Sequence, residues 1–97
     1  MARYRLSRQA DQDIDNIFSF GVERFGIDQA TKYLLDLHDH FELLAESPEV
    51  WPNITVQKQT FQRSVYTSTH SIYYQNNGNH ILIVRVLGQQ DIDTALK

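Results

Sequence analysis

Cysteine is absent from this sequence. Neither a disulfide framework nor a cysteine-based zinc site can therefore form, and nothing calls for an oxidising compartment. No apolar run approaches the roughly 18 to 20 residues that cross a bilayer, and the opening MARYRLSRQADQD has no stretch of signal-peptide length. Those absences point to a cytoplasmic protein with no membrane partner. Recognisable enzyme signatures are missing as well: there is no glycine-rich phosphate loop, no GxSxG elbow and no pair of carboxylates at a spacing that suggests a cleft. The four histidines are poorly spaced for a metal. His38 and His40, two apart on a helix, point in different directions, and His70 and His80 fall near opposite ends of a hairpin. No metal and no cofactor are expected. Finally, no aspartate or glutamate occurs between Val50 and Gln90, so that half of the chain offers no carboxylate base.

What is present suits one small domain spanning residues 1–97, because a 41% hydrophobic content is enough for a single core. The net charge of −3 is unevenly distributed. From Ser7 to Glu46 nine acids face three bases, a balance of −6, while the remainder carries six bases and three acids, a balance of +3. The two segments should therefore meet different partners.

Periodicity supplies the elements. Arg3 to Leu6 reads as a short strand that ends at Ser7, a good N-cap. Ala10, Ile14, Ile17, Phe18, Gly21 and Phe25 then recur at helical spacing, and Asp11, Asp13 and Asp15 sit near the positive end of the dipole. The helix stops at Phe25-Gly26. Asp28 is expected to cap a second helix with apolar positions Tyr33, Leu34, Leu37, Phe41 and Leu44, closed by Ser47-Pro48. Each helix runs about 18 residues, roughly 27 Å, and so short a link makes them an antiparallel hairpin. Pro48 to Thr60 reads as a surface loop that Trp51 pins to the core. Phe61 to Thr67 reads as a strand, followed by a β-hairpin from Tyr66 to Leu87 around Asn77-Gly78, the residues a two-residue type I′ turn prefers. That turn would pair Tyr74 with Ile81, Ile72 with Ile83 and His70 with Arg85. The second hairpin strand is apolar on both faces and is therefore central. Gly88 to Lys97 is polar, with one helical turn from Asp91 or Asp93. The order is β-α-α-β-β-β, an α+β fold with a helical hairpin packed on a small twisted, mainly antiparallel sheet.

The candidate chemistry lies on the hairpin and its neighbour, where Arg63, His70 and Arg85 gather with Tyr66, Tyr73 and Tyr74. Arg85 admits three readings: an anchored arginine paired with a carboxylate of the helices or tail, part of a contact surface, or a transition-state stabiliser in metal-free ribonuclease chemistry. The helices also carry more apolar residues than one stripe uses, namely Phe20, Val22, Ile27, Leu35 and Leu43. Such a surplus suggests a partner groove, and the −6 balance predicts a basic partner.

Taken together, YRLSRQADQDIDNIFSF, ERFGIDQATKYL, LLAESPEV and THSIYYQNNGNHILIVRVL resemble the ParE-type toxins of the RelE/ParE superfamily, from type II toxin-antitoxin systems. The resemblance runs nearly end to end. It implies a toxin that inhibits DNA gyrase by binding, traps the cleaved DNA intermediate and blocks replication without chemistry of its own, with topoisomerase IV open as the target. Direct sequence-specific nucleic-acid binding is not expected of the toxin alone. Target contacts are expected at Arg63, His70, Arg85, Leu87, Gln89 and Gln90. A ParD-like antitoxin would cover Phe18, Phe20, Val22, Leu35 and Leu43 on the helices and Ile81 and Ile83 on the last strand, with addition of a strand to an exposed sheet edge as one mode. Two alternatives stand beside this reading: a RelE-like ribosome-dependent mRNA endonuclease, and a non-toxic relative. RelE-like enzymes are strongly basic and place basic residues with a Tyr or His acid/base after the last strand. Here Gly88, Gln89 and Gln90 follow it, and the acid-free half has only three bases for a polyanion. Many ParE chains also have a basic residue at that place.

Overall fold

The structure is a computed structural model that describes residues 3–67 and 69–88. Seven elements follow in order: β1 (Tyr4–Leu6), α1 (Arg8–Phe25), α2 (Ile27–Glu46), β2 (Asn53–Val56), β3 (Gln59–Tyr66), β4 (His70–Asn76) and β5 (Ile81–Leu87). They form one five-stranded sheet in the order β1-β5-β4-β3-β2, with the helical hairpin on one face. The neighbouring pairs are antiparallel except β1, which runs parallel to β5. The α+β architecture is the expected one, with one strand more than the sequence indicated.

Ser7 acts as the expected N-cap and also ties the start of α1 to the far end of the chain. Its hydroxyl oxygen accepts from the Ala10 amide at 3.0 Å and its hydroxyl donates to the Val84 carbonyl at 2.7 Å. Its own amide donates to the Ile83 carbonyl at 2.9 Å. The helical stripes bury as their spacing requires. Ala10 and Ile14 of α1 and Leu37, Phe41 and Leu44 of α2 close over Ile72, Tyr74, Ile81, Ile83 and Val86 of the sheet. Phe25, the last residue of the first stripe, instead stays 66% exposed.

The helical link is shorter than the sequence suggested. Gly26, at φ +90°, is both the C-cap of α1 and the N-cap of α2, so Asp28 lies inside the first turn rather than capping it. A single residue at positive φ reverses the chain, which glycine does without strain. The helices approach closely at Gly21, where a Cβ would lie 3.3 Å from that of Ala30.

Both hairpins depart from the reading above. Part of the stretch expected as loop forms β2, which pairs with β3 across Gln57 and Lys58. Those two residues have φ of 51° and 69°, so the two-residue turn with positive φ at both positions lies here and not at Asn77-Gly78. The β4–β5 connection is longer, spanning Asn77 to His80, and Asn77 donates to the His80 carbonyl at 3.0 Å. Asn76 then pairs with Ile81 and Tyr74 with Ile83. A two-residue slip keeps every side chain on its face, so the apolar pattern could not expose the error. Beyond Tyr74 a bulge shifts the register again, setting Tyr73 opposite Arg85 and Ile72 opposite Val86. His70 pairs with Tyr66 rather than with Arg85.

The expected anchoring of the Trp51 loop is present. Trp51 packs against the core, and the Gln62 amide donates to the Pro48 and Trp51 carbonyls. The Tyr74 hydroxyl donates to Pro48 as well, at 2.8 Å. Burial, with Glu49 nearby, pushes that phenol up to about 12. Strand β5 is flanked on both sides, as its composition implied, only as far as Ile83, where β1 ends. Ile81, Ile83 and Val86 face the helices, while Leu87 and Val84 join Val56, Phe61, Tyr73 and Ile54 in a second cluster.

Replacing Gln57-Lys58 with Asn-Gly should stabilise the protein by about 1 kcal/mol, because these residues adopt positive φ at lower cost. Urea unfolding should show a higher midpoint at unchanged slope. An unchanged or lower midpoint would refute the assignment of strain to this turn.

Candidate functional site

Arg85 follows the bulge at a place where β5 has lost its outer neighbour, because β1 pairs only as far as Ile83. Asp13, in the second turn of α1, fills that role. Its carboxylate accepts from the Val86 amide at 3.0 Å, Arg85 Nε at 2.8 Å and Arg85 Nη2 at 2.9 Å. The two side chains are 12% and 11% exposed. The hydrogen bond to Asp13 raises the guanidinium above its ordinary value against the opposing effect of burial. Of the three readings, the structure supports the anchored arginine.

The other expected target contacts are not brought together. Arg63 is exposed and shares its side of β3 with Phe61, away from the helices, and its Nε donates to Ser71 Oγ at 3.2 Å. His70 turns to the helical side, where its Nδ1 lies 2.6 Å from the Tyr33 hydroxyl. Leu87 is 1% exposed and belongs to the second apolar cluster. Gln89 and Gln90, and the helical turn expected from Asp91 or Asp93, lie outside the described residues.

The expected antitoxin contacts divide. Phe20, Leu35 and Leu43 are exposed, and Phe18 and Val22 are half-buried. Ile81 and Ile83 are buried in the core, which corrects their assignment: the chain's own helices already cover them. Phe25, outside that set, extends the exposed surface. Phe25 joins Phe20, Gly21, Ala30 and Tyr33 in a groove of about 790 Å³ that reaches His70 and Gly88 at the ends of the sheet. Phe20, surplus to the apolar stripe of α1, hinted at this groove, whereas Phe25 belongs to the stripe itself and the meeting of Tyr33 and His70 had no local signal.

Below the groove, α2 is fastened to three strands by three imidazoles. His38 Nδ1 lies 2.6 Å from the Tyr4 hydroxyl of β1, and His40 Nε2 lies 2.8 Å from Ser64 Oγ of β3, a hydroxyl with no exposure. The third is the Tyr33–His70 contact. Tyr66 stacks into the same cluster, with ring centroids 4.8 Å from His40 and 5.7 Å from Tyr33. Burial lowers His40 and His70 below the usual imidazole value. Burial, reinforced by Asp36, raises Tyr66. The cluster can hold neutral rings together, but neither arginine reaches it to stabilise an anionic transition state. Among the described residues no three His, Asp or Glu side chains converge as a metal would need.

The family model described as the ParE toxin of the type II toxin-antitoxin system parDE matches residues 4–92. The chain is 33% identical over 89 residues to Toxin ParE1 of Caulobacter vibrioides, covering 92% of this chain and 91% of that one. It is 29% identical over 97 residues to Toxin ParE1 of Mycobacterium tuberculosis, covering 98% of each. A chain from the solved chromosomal ParDE system of P. aeruginosa superimposes with a TM-score of 0.77 at 19% identity, over 93% of this chain and 98% of that one.

Asp13→Asn should cost about 3 kcal/mol in urea unfolding, since it removes the Asp13 charge from beside the half-buried Arg85 guanidinium. Asp13→Leu combined with Arg85→Met should recover only part of that loss, because the leucine also leaves the Val86 amide without its acceptor. Equal losses in the single and double variants would contradict an energetic role for the pair.

The imidazoles predict a pH dependence. A folded-state value below the unfolded 6.5 means that the unfolded chain binds protons first, so stability is complete above that value and falls as pH drops through it. Melting temperature should decline between about pH 7.5 and 5.5, and His40→Gln with His70→Gln should flatten the profile. Parallel profiles for both proteins would rule the imidazoles out as its source.

Proposed function

The chain belongs to the ParE family of toxins from type II toxin-antitoxin systems, and from that premise we propose that it blocks DNA gyrase by stoichiometric binding and is neutralised by a ParD-type antitoxin. The observation that carries the binding reading is the dispersal of its candidate catalytic groups. Arg85 is spent on Asp13, Arg63 lies on the far face of the sheet and His70 is bonded to Tyr33 on the near one. General acid–base catalysis of RNA cleavage needs such groups within reach of one phosphodiester. A binding inhibitor needs only a surface.

The antitoxin reading rests on the groove between the helices and the sheet ends. Phe20 and Phe25 are 57% and 66% exposed there, the kind of aromatic anchor points around which interfaces concentrate their affinity. A partner segment with an apolar face would cover them. Basic residues flanking that face would meet the −6 helical region.

Purified gyrase tests the first claim. Titrating the protein should abolish supercoiling and accumulate linear, protein-linked DNA, and its antitoxin should reverse both effects. No inhibition at micromolar protein that still arrests growth would overturn gyrase as the target. The second claim has its own readout: Phe20→Ala with Phe25→Ala should weaken antitoxin binding at least about tenfold while gyrase inhibition persists. Unchanged antitoxin affinity in the folded double variant would remove the groove from that interface.

A further inference from the structure

The pairing of β1 with β5 creates a basic corner that neither end of the sequence contains alone. Arg3, Arg5, Asn79 and His80 line a shallow depression of about 420 Å³ beside Tyr4. Arg3, Asn79 and His80 also border a smaller adjoining one of about 80 Å³, together with Asn76. The polar side chains of the larger depression are two guanidiniums, an imidazole, a carboxamide and a phenol, and it has no carboxylate.

Strand geometry aims the two arginines together. Tyr4 and Leu6 pack against the core, so the alternating Arg3 and Arg5 belong to the opposite side of β1, with Cα atoms about 6.6 Å apart. The backbone beneath them is fixed, because the Ile81 amide donates to the Arg3 carbonyl at 3.2 Å and Arg5 is in register with Leu82. Glu42 and Asp39 are the carboxylates felt at the Tyr4 hydroxyl, and both belong to α2 on the helical side. The strands that continue from this corner come from sequence with no acid from Val50 onward through Gln90, while Lys58 and Arg63 lie farther away, in the β2–β3 hairpin at the opposite edge of the sheet.

We propose that this corner binds the phosphodiester backbone of duplex DNA, independently of base sequence and independently of whether gyrase is the target. Paired guanidiniums take phosphate oxygens bidentately, and backbone contacts of this kind position a protein without reading bases. An acidic polypeptide fits less well. Protein interfaces gather affinity on apolar anchors, and none of the exposed large apolar side chains among the described residues lies in this corner. With only a few cations the affinity should be modest and strongly dependent on salt.

Fluorescence anisotropy of a short labelled duplex tests the proposal, using the full chain at about 25 mM salt and upward. The wild-type protein should bind at micromolar concentration. Arg3→Gln with Arg5→Gln should lower affinity about tenfold or more and reduce the slope of log affinity against log salt by about two. Arg24→Gln with Lys32→Gln, the same loss of two positive charges within the helical layer, should leave the binding curve within about twofold. Circular dichroism and urea midpoints confirm that each variant is folded. The proposal is overturned by an absence of binding at the lowest salt, by an unaltered slope in the Arg3, Arg5 variant, or by a labelled polyglutamate peptide that binds this corner more tightly than the duplex.

Discussion

The carboxylate of Asp13 is the constraint on which the arrangement of layers depends. β1 is three residues long and stops beside Ile83, yet β5 continues to Leu87, so its outer edge has polar groups that no strand satisfies. Asp13 answers the Val86 amide and the Arg85 guanidinium together, while Ser7 answers the carbonyls of Ile83 and Val84. Leaving those groups unpaired next to the core would be costly. An ion pair this buried adds little stability over a well-packed apolar pair, since desolvation offsets the attraction. What it supplies is position: α1 can sit at only one height along β5, and the bulge that sets Arg85 opposite Tyr73 has a fixed counterpart on the helix.

That fixed position also separates the charges of the molecule. The helices carry the −6 region, and the strands that pack beneath them come from sequence that contains no acid between Val50 and Gln90. Parallel addition of β1 then brings Arg3 and Arg5 to the basic side. A net charge of −3 therefore conceals two surfaces of opposite sign, and the sign relevant to a partner is the local one. The apolar groove opens against the acidic helices and the basic corner lies at β1 and the β4–β5 connection, so each surface selects its own partner chemistry.

The helices were legible because several signals agreed on them: a 3.6-residue stripe, a serine N-cap and glycine at the reversal. The hairpins were not, because Asn77-Gly78 is a strong turn signal that lost to pairing between strands. Setting Ile81 against Asn76 puts β5 in register with β1 as well, and the longer connection accommodates it. Gln57-Lys58 carries no turn signature, so the short strand β2 before it could not be seen. The site was partly legible. Phe20 stood out as surplus to the apolar stripe, and an anchored role for Arg85 was one of three readings. Its partner Asp13 lies 72 residues away, a separation that no local pattern encodes. Ile81 and Ile83 were misassigned to a partner because apolarity alone does not tell which face the chain itself will cover.

Burial of the groove and exposure of a target surface need not be far apart in such a small protein. The groove runs from Phe20 and Phe25 on α1, over Tyr33 and His70, to Gly88, the last described residue of the chain. A Cβ placed on Gly88 would lie 3.9 Å from the His70 ring, so anything seated in the groove touches the point where the chain leaves β5. On the proposed reading, an antitoxin seated in the groove would occupy the surface beside Gly88 without unfolding or displacing any element. Neutralisation by occlusion needs no second conformation of the toxin, and the packing supports that economy. His38, His40 and the Tyr33–His70 contact hold α2 to β1, β3 and β4 at once, which leaves the helical layer little freedom to move independently of the sheet.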